Sequence, residues 1–275
     1  MPNEFTDQYL LGGTPAETQR LQAQGELLAT SSDRLLRLAG IRPGMRVLDI
    51  GCGAGDVTMQ IASIIGESGR VTGVDADAAV LAVARKRAAD AGLGNVTFQQ
   101  ASVPGVTLDC PVDAIAGRMI LAHLENPAAA LARMRRLLRP GGVMTFQEAR
   151  LTSVRSIPPV PLLAQCMEWA SQAFSASGRD PDTGQRLFSV FGDAGLPVPE
   201  VMAAIPSARG PAAYGVAAAS VISLLPVLEK AHIATRQEVG PDTLAQRLWE
   251  QARADDALLI LPELIGAWTQ IMPLA

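Results

Sequence analysis

The sequence contains one glycine-rich segment whose residue types and spacing suit ligand binding, Asp49-Ile50-Gly51-Cys52-Gly53-Ala54-Gly55. Glycine has no side chain and tolerates positive φ, so Gly51 and Gly53 predict close contact between a ligand and the main chain. The spacing is G-x-G-x-G, whereas dinucleotide-binding loops use G-x-G-x-x-G. A charge from Asp56 at the following helix start would repel a pyrophosphate. Asp49 instead suits a ligand with positive charge nearby, unless it only caps that helix.

Short apolar runs alternate with helical segments around this loop, and the alternation predicts the elements that position it. Five strands are predicted, over residues 45–50, 70–75, 95–100, 112–116 and 143–148. Such alternation is typical of an α/β fold with a doubly wound, mostly parallel sheet. Two further predicted strands, over residues 198–205 and 257–268, would bring the sheet to seven strands.

Polar side chains stand at the carboxyl ends of the predicted strands. Ligands of open parallel sheets bind beyond these ends, near the switch in strand order. The positions concerned are Asp49, Asp75, Ser102, Arg118 and Glu148. We therefore expect five separate parts of the chain to meet at one edge of the sheet and to form one site.

Three segments resemble motifs of the class I S-adenosylmethionine-dependent methyltransferases. Val47-Leu-Asp-Ile-Gly-Cys-Gly-Ala-Gly55 is similar to that family's first motif almost letter for letter, and Asp75 to its acidic ribose-binding residue. Leu137-Leu-Arg-Pro-Gly-Gly142 is similar to the late motif, although alone it would indicate only a helix end and a turn. The resemblance covers about residues 40–150. It implies a Rossmann-like fold, S-adenosylmethionine as cofactor and S-adenosylhomocysteine as product.

The resemblance also implies which residues contact the cofactor. The backbones of the first two loop glycines would flank its methionyl part. Asp75 would accept hydrogen bonds from both ribose hydroxyls, unless it is only a turn residue, and Ala76 and Val103 would flank the adenine. Family members often have an acid after the third strand for the adenine amino group. This chain has Ser102 there, which is a weaker acceptor than a carboxylate.

Two parts of the chain offer partners for the methionyl carboxylate. Arg118 follows the fourth predicted strand, and Tyr9 and Arg20 lie in an N-terminal segment that closes over the cofactor in similar methyltransferases. A tyrosine hydroxyl or an arginine fork can hold a carboxylate. Ordinary helix packing and surface charge are the alternative roles for Tyr9 and Arg20.

Methyl transfer mainly requires that the acceptor is aligned and water excluded, but an oxygen or carbon nucleophile also needs a base. We consider His123 and Glu148 as catalytic candidates. His123 follows the fourth strand, and histidine is the usual base near neutral pH; a packed or exposed histidine is the alternative. Glu148 ends the fifth strand, where the alternatives are a solvated strand end or an ion pair with Arg150.

The rest of the chain predicts how the acceptor is held. Residues 1–40 form the N-terminal segment, 41–150 the cofactor-binding core, and 151–275 the completion of the sheet together with helical cap insertions. The helices predicted over 157–177 and 211–254 would cap the site and carry apolar side chains that either line an acceptor pocket or belong to the core: Met167, Trp169, Phe174, Phe188 and Tyr214.

Composition limits the classes of partner. The net charge of −4 and the low charged content (18%) disfavour nucleic acid, which requires a concentrated positive surface. Three unclustered cysteines predict neither a disulfide framework nor a metal site. The polar N-terminus does not resemble a signal peptide, and no apolar stretch is long enough to span a membrane, so a cytoplasmic location is expected. The Ala- and Leu-rich helices leave a homodimer open.

The leading interpretation is a methyltransferase that acts on a small, mainly apolar metabolite such as a polyketide, terpenoid, quinone or lipid-like acceptor. A protein or RNA methyltransferase, a dehydrogenase, and a protein of the same fold that binds S-adenosylmethionine without methylating, such as a cyclase or isomerase, are the alternatives. Formation of S-adenosylhomocysteine in the presence of an acceptor distinguishes the last of these from a methyltransferase.

Overall fold

The computed structural model describes residues 15–271. Seven strands form the main sheet in the order β3-β2-β1-β4-β5-β10-β7. Their bounds are β1 (Arg46–Ile50), β2 (Arg70–Asp75), β3 (Val96–Gln100), β4 (Val112–Arg118), β5 (Leu138–Arg150), β7 (Glu200–Ala204) and β10 (Glu263–Gln270). β10 is antiparallel to both of its neighbours, and the remaining pairs are parallel. The predicted doubly wound, mostly parallel, seven-stranded sheet is confirmed.

Alternate residues of the central strands pack into two apolar layers, one on each face of the sheet. On one face Val47 and Val71 pack with α1 (Pro15–Leu38) and α2 (Asp56–Ile65). On the other face Leu48 packs with helices α4 (Pro127–Met134) and α6 (Thr183–Asp193). The helix α3 (Ala78–Asp90) packs along β2 and β3. Both faces are thus covered, as parallel sheets require.

Two insertions between the late strands build a separate apolar cluster. The first follows β5 and contains β6 (Arg155–Ile157) and α5 (Pro161–Ala176). The second separates β7 from β10 and contains β8 (Ser207–Ala208), α7 (Pro211–Ser223), α8 (Leu225–Lys230), α9 (Arg236–Val239), α10 (Leu244–Ala254) and β9 (Leu258–Ile260). Strands of both insertions form a second sheet in the order β6-β9-β8.

Two late segments differ from the sequence prediction, and proline explains both differences. The single strand predicted over 257–268 is two strands in two sheets, because Pro262 interrupts it and cannot donate a ladder hydrogen bond. In the helical stretch predicted over 211–254, the first helix ends at Ser223, and Pro226 lies in the first turn of a new helix, where its missing N–H costs nothing.

Residues 15–271 contain neither a candidate membrane-spanning helix nor a candidate cluster of metal ligands. No helix there combines the length and apolarity that a bilayer crossing needs. No three histidine, cysteine, aspartate or glutamate side chains there are grouped as metal ligands would be.

Candidate active site

A cavity of about 520 Å³ lies at the carboxyl ends of the central strands, between the main sheet and the two insertions. Every described residue predicted to bind cofactor or to act in catalysis lines it: Asp49, Gly51, Gly53, Asp75, Ala76, Ser102, Val103, Arg118, His123 and Glu148. Tyr9 lies outside the described residues. The expected convergence of separate strand ends at one site is therefore present in the fold.

The glycine loop approaches the cavity with bare backbone. Gly51, Gly53 and Gly55 have φ values of 67°, 52° and 88°, in the region that residues with side chains rarely adopt. A Cβ atom on Gly51 would come within 2.7 Å of the Ile120 side chain. Glycine at Gly51 is thus required by both conformation and space, and the loop can accept a ligand against its main chain.

Asp49 is a buried carboxyl beneath this loop. Its Oδ2 accepts a hydrogen bond from the Thr58 hydroxyl (2.6 Å), and its Oδ1 has no partner among the described residues. Burial raises the pKa of Asp49 to about 7. Gly55, rather than Asp49, occupies the N-cap position of α2, so the capping alternative is wrong. A positive ligand group near Oδ1 would stabilise the ionised form.

Asp75 joins the end of β2 to the glycine loop. Its Oδ2 accepts from the Gly53 amide (2.9 Å), and its Oδ1 accepts from the Asp77 amide (3.0 Å). The second bond is the local turn interaction considered as its alternative role, so Asp75 shapes the turn as well as facing the cavity. Burial raises the pKa of this carboxyl, while the backbone donors oppose the rise.

The charge of Asp56 is compensated by Arg87. The Arg87 guanidinium donates to Asp56 Oδ1 (2.8 Å) and to the Ala54 carbonyl (2.6 Å). The repulsion of a pyrophosphate by Asp56 is consequently weaker than the sequence indicated. The third loop glycine is itself in a crowded position, since a Cβ on Gly55 would lie 3.3 Å from the Ala84 side chain.

Arg118 lies at the end of β4, beside the carboxyls of the glycine loop. Its Nη1 donates to the Ser32 hydroxyl (3.0 Å), and Ser32 in turn donates to Gln147 Oε1 (2.8 Å). Burial lowers the pKa of Arg118, although the charges of Asp56 and Asp49 oppose the shift. The hydrogen bonds from Arg118 to Ser32 and from Ser32 to Gln147 hold the guanidinium in the cavity wall, where it can bind an anionic ligand group.

Glu148 is the last of a run of buried side chains on β5, and it lines the cavity. Oε1 accepts from the backbone amides of Ile120 (3.0 Å) and Leu121 (2.8 Å). Burial raises the pKa of Glu148 from 4.5 to about 7, against the effect of the backbone amides of Leu121, Ile120 and Ala122. The suggested ion pair with Arg150 is wrong, because Arg150 lies near Asp182 and Glu263 instead.

His123 is buried in the turn after β4. Its ring lies 6.1 Å from the Phe174 ring, centroid to centroid, and its carbonyl accepts from the Arg179 guanidinium. Burial, together with the charges of Arg179 and Arg20, lowers the pKa of His123 to about 3. Such an imidazole is neutral at pH 7 but a weak base, so the expectation of a base tuned near neutrality does not match its surroundings.

A buried polar cluster between α1 and α7 contains the predicted candidate Arg20 together with Glu17, Ser220 and Ser223, which were not predicted as part of the site. Glu17 forms an ion pair with Arg20 (2.6 Å), and its Oε2 accepts from the Ser223 hydroxyl (2.6 Å). Arg20 also donates to the Ser220 hydroxyl (3.4 Å). The i,i+3 spacing of Glu17 and Arg20 was a usable signal, but their partners lie about 200 residues away in sequence.

Met119 is a second residue that sequence analysis missed. It has a φ of 53° without being glycine, and its sulfur accepts a hydrogen bond from the Gln24 amide (2.7 Å). Strained backbone of this kind is concentrated at functional sites. Both side chains line the cavity where the glycine loop meets the insertions.

Only part of the apolar set proposed for the acceptor pocket faces the cavity. Met167 and Phe174 of α5 line it, together with small residues of α7. Tyr214 is fully buried in the core of the insertions and donates to the Ala257 carbonyl (3.2 Å). Trp169 packs on that core from outside, and Phe188 is 54% exposed. These last three residues fit the core or surface alternative.

The described residues fit S-adenosylmethionine. The glycine loop leaves room for a part of the cofactor to lie against the main chain. Asp75 at the end of β2 offers a carboxyl for the ribose, and Arg118 supplies a cation for the methionyl carboxylate. The buried, unpartnered Asp49 Oδ1 suits the positive charge of the cofactor. An α/β sheet with this site at its switch point defines a cofactor-binding enzyme fold.

Comparison with known proteins gives the family. The model of the methyltransferase domain family matches residues 41–187, more than half of the chain. The chain belongs to the class I S-adenosylmethionine-dependent methyltransferase domain family.

Three relatives illustrate the match. The ubiquinone/menaquinone biosynthesis C-methyltransferase UbiE of Shewanella pealeana is 39% identical over 124 residues, which are 43% of this chain and 49% of that protein. This chain thus spans about half the length of the curated relative. The putative methyltransferase of Bacillus halodurans shares the fold at 16% identity (TM-score 0.59; 89% of this chain, 100% of the other). The [4+2]-cyclase SpnF shares it at 19% identity (TM-score 0.53; 88% and 81%).

Proposed function

We propose that this enzyme transfers the methyl group of S-adenosylmethionine to a small, mainly apolar organic acceptor. The observation that carries this proposal is a single cavity that is bounded at one end by the glycine loop and at the other by apolar side chains of the insertions. Small-molecule sites have this composition of apolar walls with few polar groups.

The residues of the chain divide between the two ligands under this proposal. Asp49, the glycine loop, Asp75 and Arg118 would hold the cofactor, with Ala76, Ser102 and Val103 around the adenine. When bound, S-adenosylmethionine supplies a methyl group that is already activated by its sulfonium. The protein's contribution is to align the acceptor with that group and to exclude water.

The walls of the insertions indicate the acceptor class. α5 and α7 contribute Met167, Ala170, Phe174, Val216 and Ala217 to the cavity, and the loop before β10 contributes Leu261. An aromatic or polycyclic body fits such a surface better than a sugar or a peptide does. Quinone precursors are a natural first choice, because UbiE proteins are named for ubiquinone and menaquinone biosynthesis.

The test is the formation of S-adenosylhomocysteine with a panel of aromatic hydroquinones, polyketides and terpenoids, followed by mass spectrometry of the product. Acceptor-dependent formation is expected. The cyclase SpnF shows that the same fold occurs in a protein named for another reaction. Conversion of a panel member without S-adenosylhomocysteine formation would therefore contradict the proposal.

Asp75→Ala tests the cofactor assignment separately. Loss of a hydrogen bond to a carboxylate is expected to weaken S-adenosylmethionine binding by about 1.5–3 kcal/mol in calorimetry. Asp90→Ala is the matched control, since Asp90 is an exposed α3 carboxyl paired with Lys86. Equal affinities of the two variants would remove Asp75 from the ribose role.

A further inference from the structure

Glu148 divides its two carboxyl oxygens between the protein and the cavity. Oε1 is occupied by the Ile120 and Leu121 amides, whereas Oε2 has no hydrogen-bond partner among the described residues. The whole residue is only 1% exposed. A buried carboxyl oxygen without a partner is costly to the folded protein. Oε2 is thus positioned for a donor that a ligand brings.

Glu148 lies where the glycine-loop end of the cavity meets the end that the insertions form. Ile120, whose amide it holds, fills the space where a Gly51 side chain would stand. Leu121, its second donor, begins the turn that carries the buried His123 against Phe174 of α5. Glu148 therefore borders both the glycine loop and the apolar acceptor wall.

We propose that Glu148 Oε2 accepts the hydroxyl hydrogen of the acceptor, and that the acceptor is a phenol or an enol. This inference rests on the proposed function, because it specifies the acceptor of the same cavity. A phenol joins an apolar ring to one acidic O–H group, which matches an apolar wall that contains one buried acceptor oxygen without a protein donor.

The proton transfer balances within this pair of groups. The acceptor O–H bond breaks, its proton forms a new O–H bond on Oε2, and the electron pair stays on the acceptor oxygen. That pair raises the nucleophilicity of the oxygen and of the ring carbons conjugated to it. Where a ring carbon receives the methyl group, its C–H bond then breaks and that proton restores the O–H bond of the acceptor. After methyl transfer the carboxyl returns the proton to water, which leaves Glu148 ready for the next acceptor.

The surroundings of Glu148 suit this role better than those of His123. Burial raises the pKa of Glu148 to about 7, so its ionised form is populated near neutrality and holds a proton more strongly than an ordinary carboxylate. α5 and α7 contribute only uncharged side chains to the cavity lining. Charged or titratable groups enter the same cavity from other elements: Glu17 and Arg20 of α1, Asp49 of β1, Cys52 of the glycine loop, Asp56 of α2, Asp75 of β2, Asp77 before α3, Arg118 of β4 and His123 of the turn after β4.

The test measures the binding of 1-naphthol and 1-methoxynaphthalene to the S-adenosylhomocysteine complex by calorimetry at pH 6 and pH 8. At pH 8 the wild-type protein should prefer the naphthol by roughly 10- to 100-fold, the value of one hydrogen bond to a charged group. At pH 6 the preference should shrink, because a protonated Glu148 can donate to the ether oxygen.

Glu148→Gln keeps an oxygen for the Ile120 and Leu121 amides but does not titrate, so its preference should be small and equal at both pH values. Glu168→Gln, on the exposed side of α5, is the matched control and should behave as wild type. If Glu148 had only a structural role, Glu148→Gln would change the affinities for both probes by the same factor. The ratio of the two affinities would then depend on pH as it does in the wild-type protein.

Three results would overturn the assignment: no binding of 1-naphthol to the wild-type complex, no preference for it at pH 8, or a pH-dependent preference that persists in Glu148→Gln. S-adenosylhomocysteine binding is measured first in the same titrations. Its failure would refute the proposed function itself, whereas a normal value with any of the three results refutes only the phenol or enol assignment.

Discussion

Replacing Glu148 with glutamine is expected to change how the stability of the ligand-free protein depends on pH. The pKa of Glu148 is about 7 in the folded protein, above the ordinary value of 4.5. A carboxyl whose pKa is raised on folding stabilises the protein fully below pH 4.5, and this contribution is lost as pH rises through 7. The shift corresponds to about 3 kcal/mol between those limits, at 1.36 kcal/mol per pKa unit.

The assay is urea unfolding at pH 5, 6, 7 and 8, with the free energy of unfolding taken from linear extrapolation. The stability of Glu148→Gln relative to wild type should rise by about 2.5 kcal/mol from pH 5 to pH 8, because the variant keeps a neutral side chain. Asp49→Asn should show a rise of the same sign and of about the same size over this range, since its pKa is raised from 3.8 to about 7 and the first part of its change falls below pH 5.

Glu168→Gln removes an exposed carboxyl of α5 and should follow the wild-type pH dependence throughout. If Glu148→Gln instead lost stability relative to wild type as pH rose, the carboxyl would be stabilised in its ionised form. The burial argument for Glu148 would then be wrong, and an unrecognised donor to Oε2 would have to exist.

Three further predictions concern the two ends of the cavity. Gly92→Ala should cost about 1–2 kcal/mol because of its left-handed φ. Gly51→Ala should cost more, since its Cβ would also strike Ile120, and only this variant should abolish S-adenosylmethionine binding in calorimetry. Ala217→Leu should suppress acceptor turnover and leave cofactor affinity unchanged, because the larger side chain would occupy part of the cavity. Ala212→Leu, at an exposed position at the start of α7, should leave turnover unchanged. Equal turnover of the two variants would show that the acceptor binds outside this part of the cavity. Arg118→Ala should weaken binding of S-adenosylhomocysteine but not of adenosine, and an equal loss for both would exclude a carboxylate contact.

The sheet and the cofactor end of the site were accessible from sequence because their signals are local. The run from Val47 to Gly55 combines a buried strand with positive-φ glycines, and each following strand ends on a polar residue that parallel topology brings to the same edge. Alternation of elements thus sufficed to place residues as distant as Asp75 and Glu148 around one cavity.

The acceptor end depends on contacts that no local pattern reveals. Glu17 meets Ser223 only because α7 packs on α1, and the pKa of His123 falls because the insertions bury it. The strained φ of Met119 follows from the β4 turn rather than from its residue type. The break at Pro262, in contrast, has a local signal in the sequence, because proline cannot donate a ladder hydrogen bond.

The small sheet β6-β9-β8 joins the two insertions to each other. β9 lies in its middle and pairs with β6 from the first insertion and with β8 from its own. Two stretches that are far apart in sequence are therefore coupled through one sheet, beside the apolar wall that the proposed function assigns to the acceptor. Exchange of a single insertion between related enzymes would leave β9 with one bare edge, whereas a joint exchange would carry the acceptor range with it. Recombination is expected to preserve the pair.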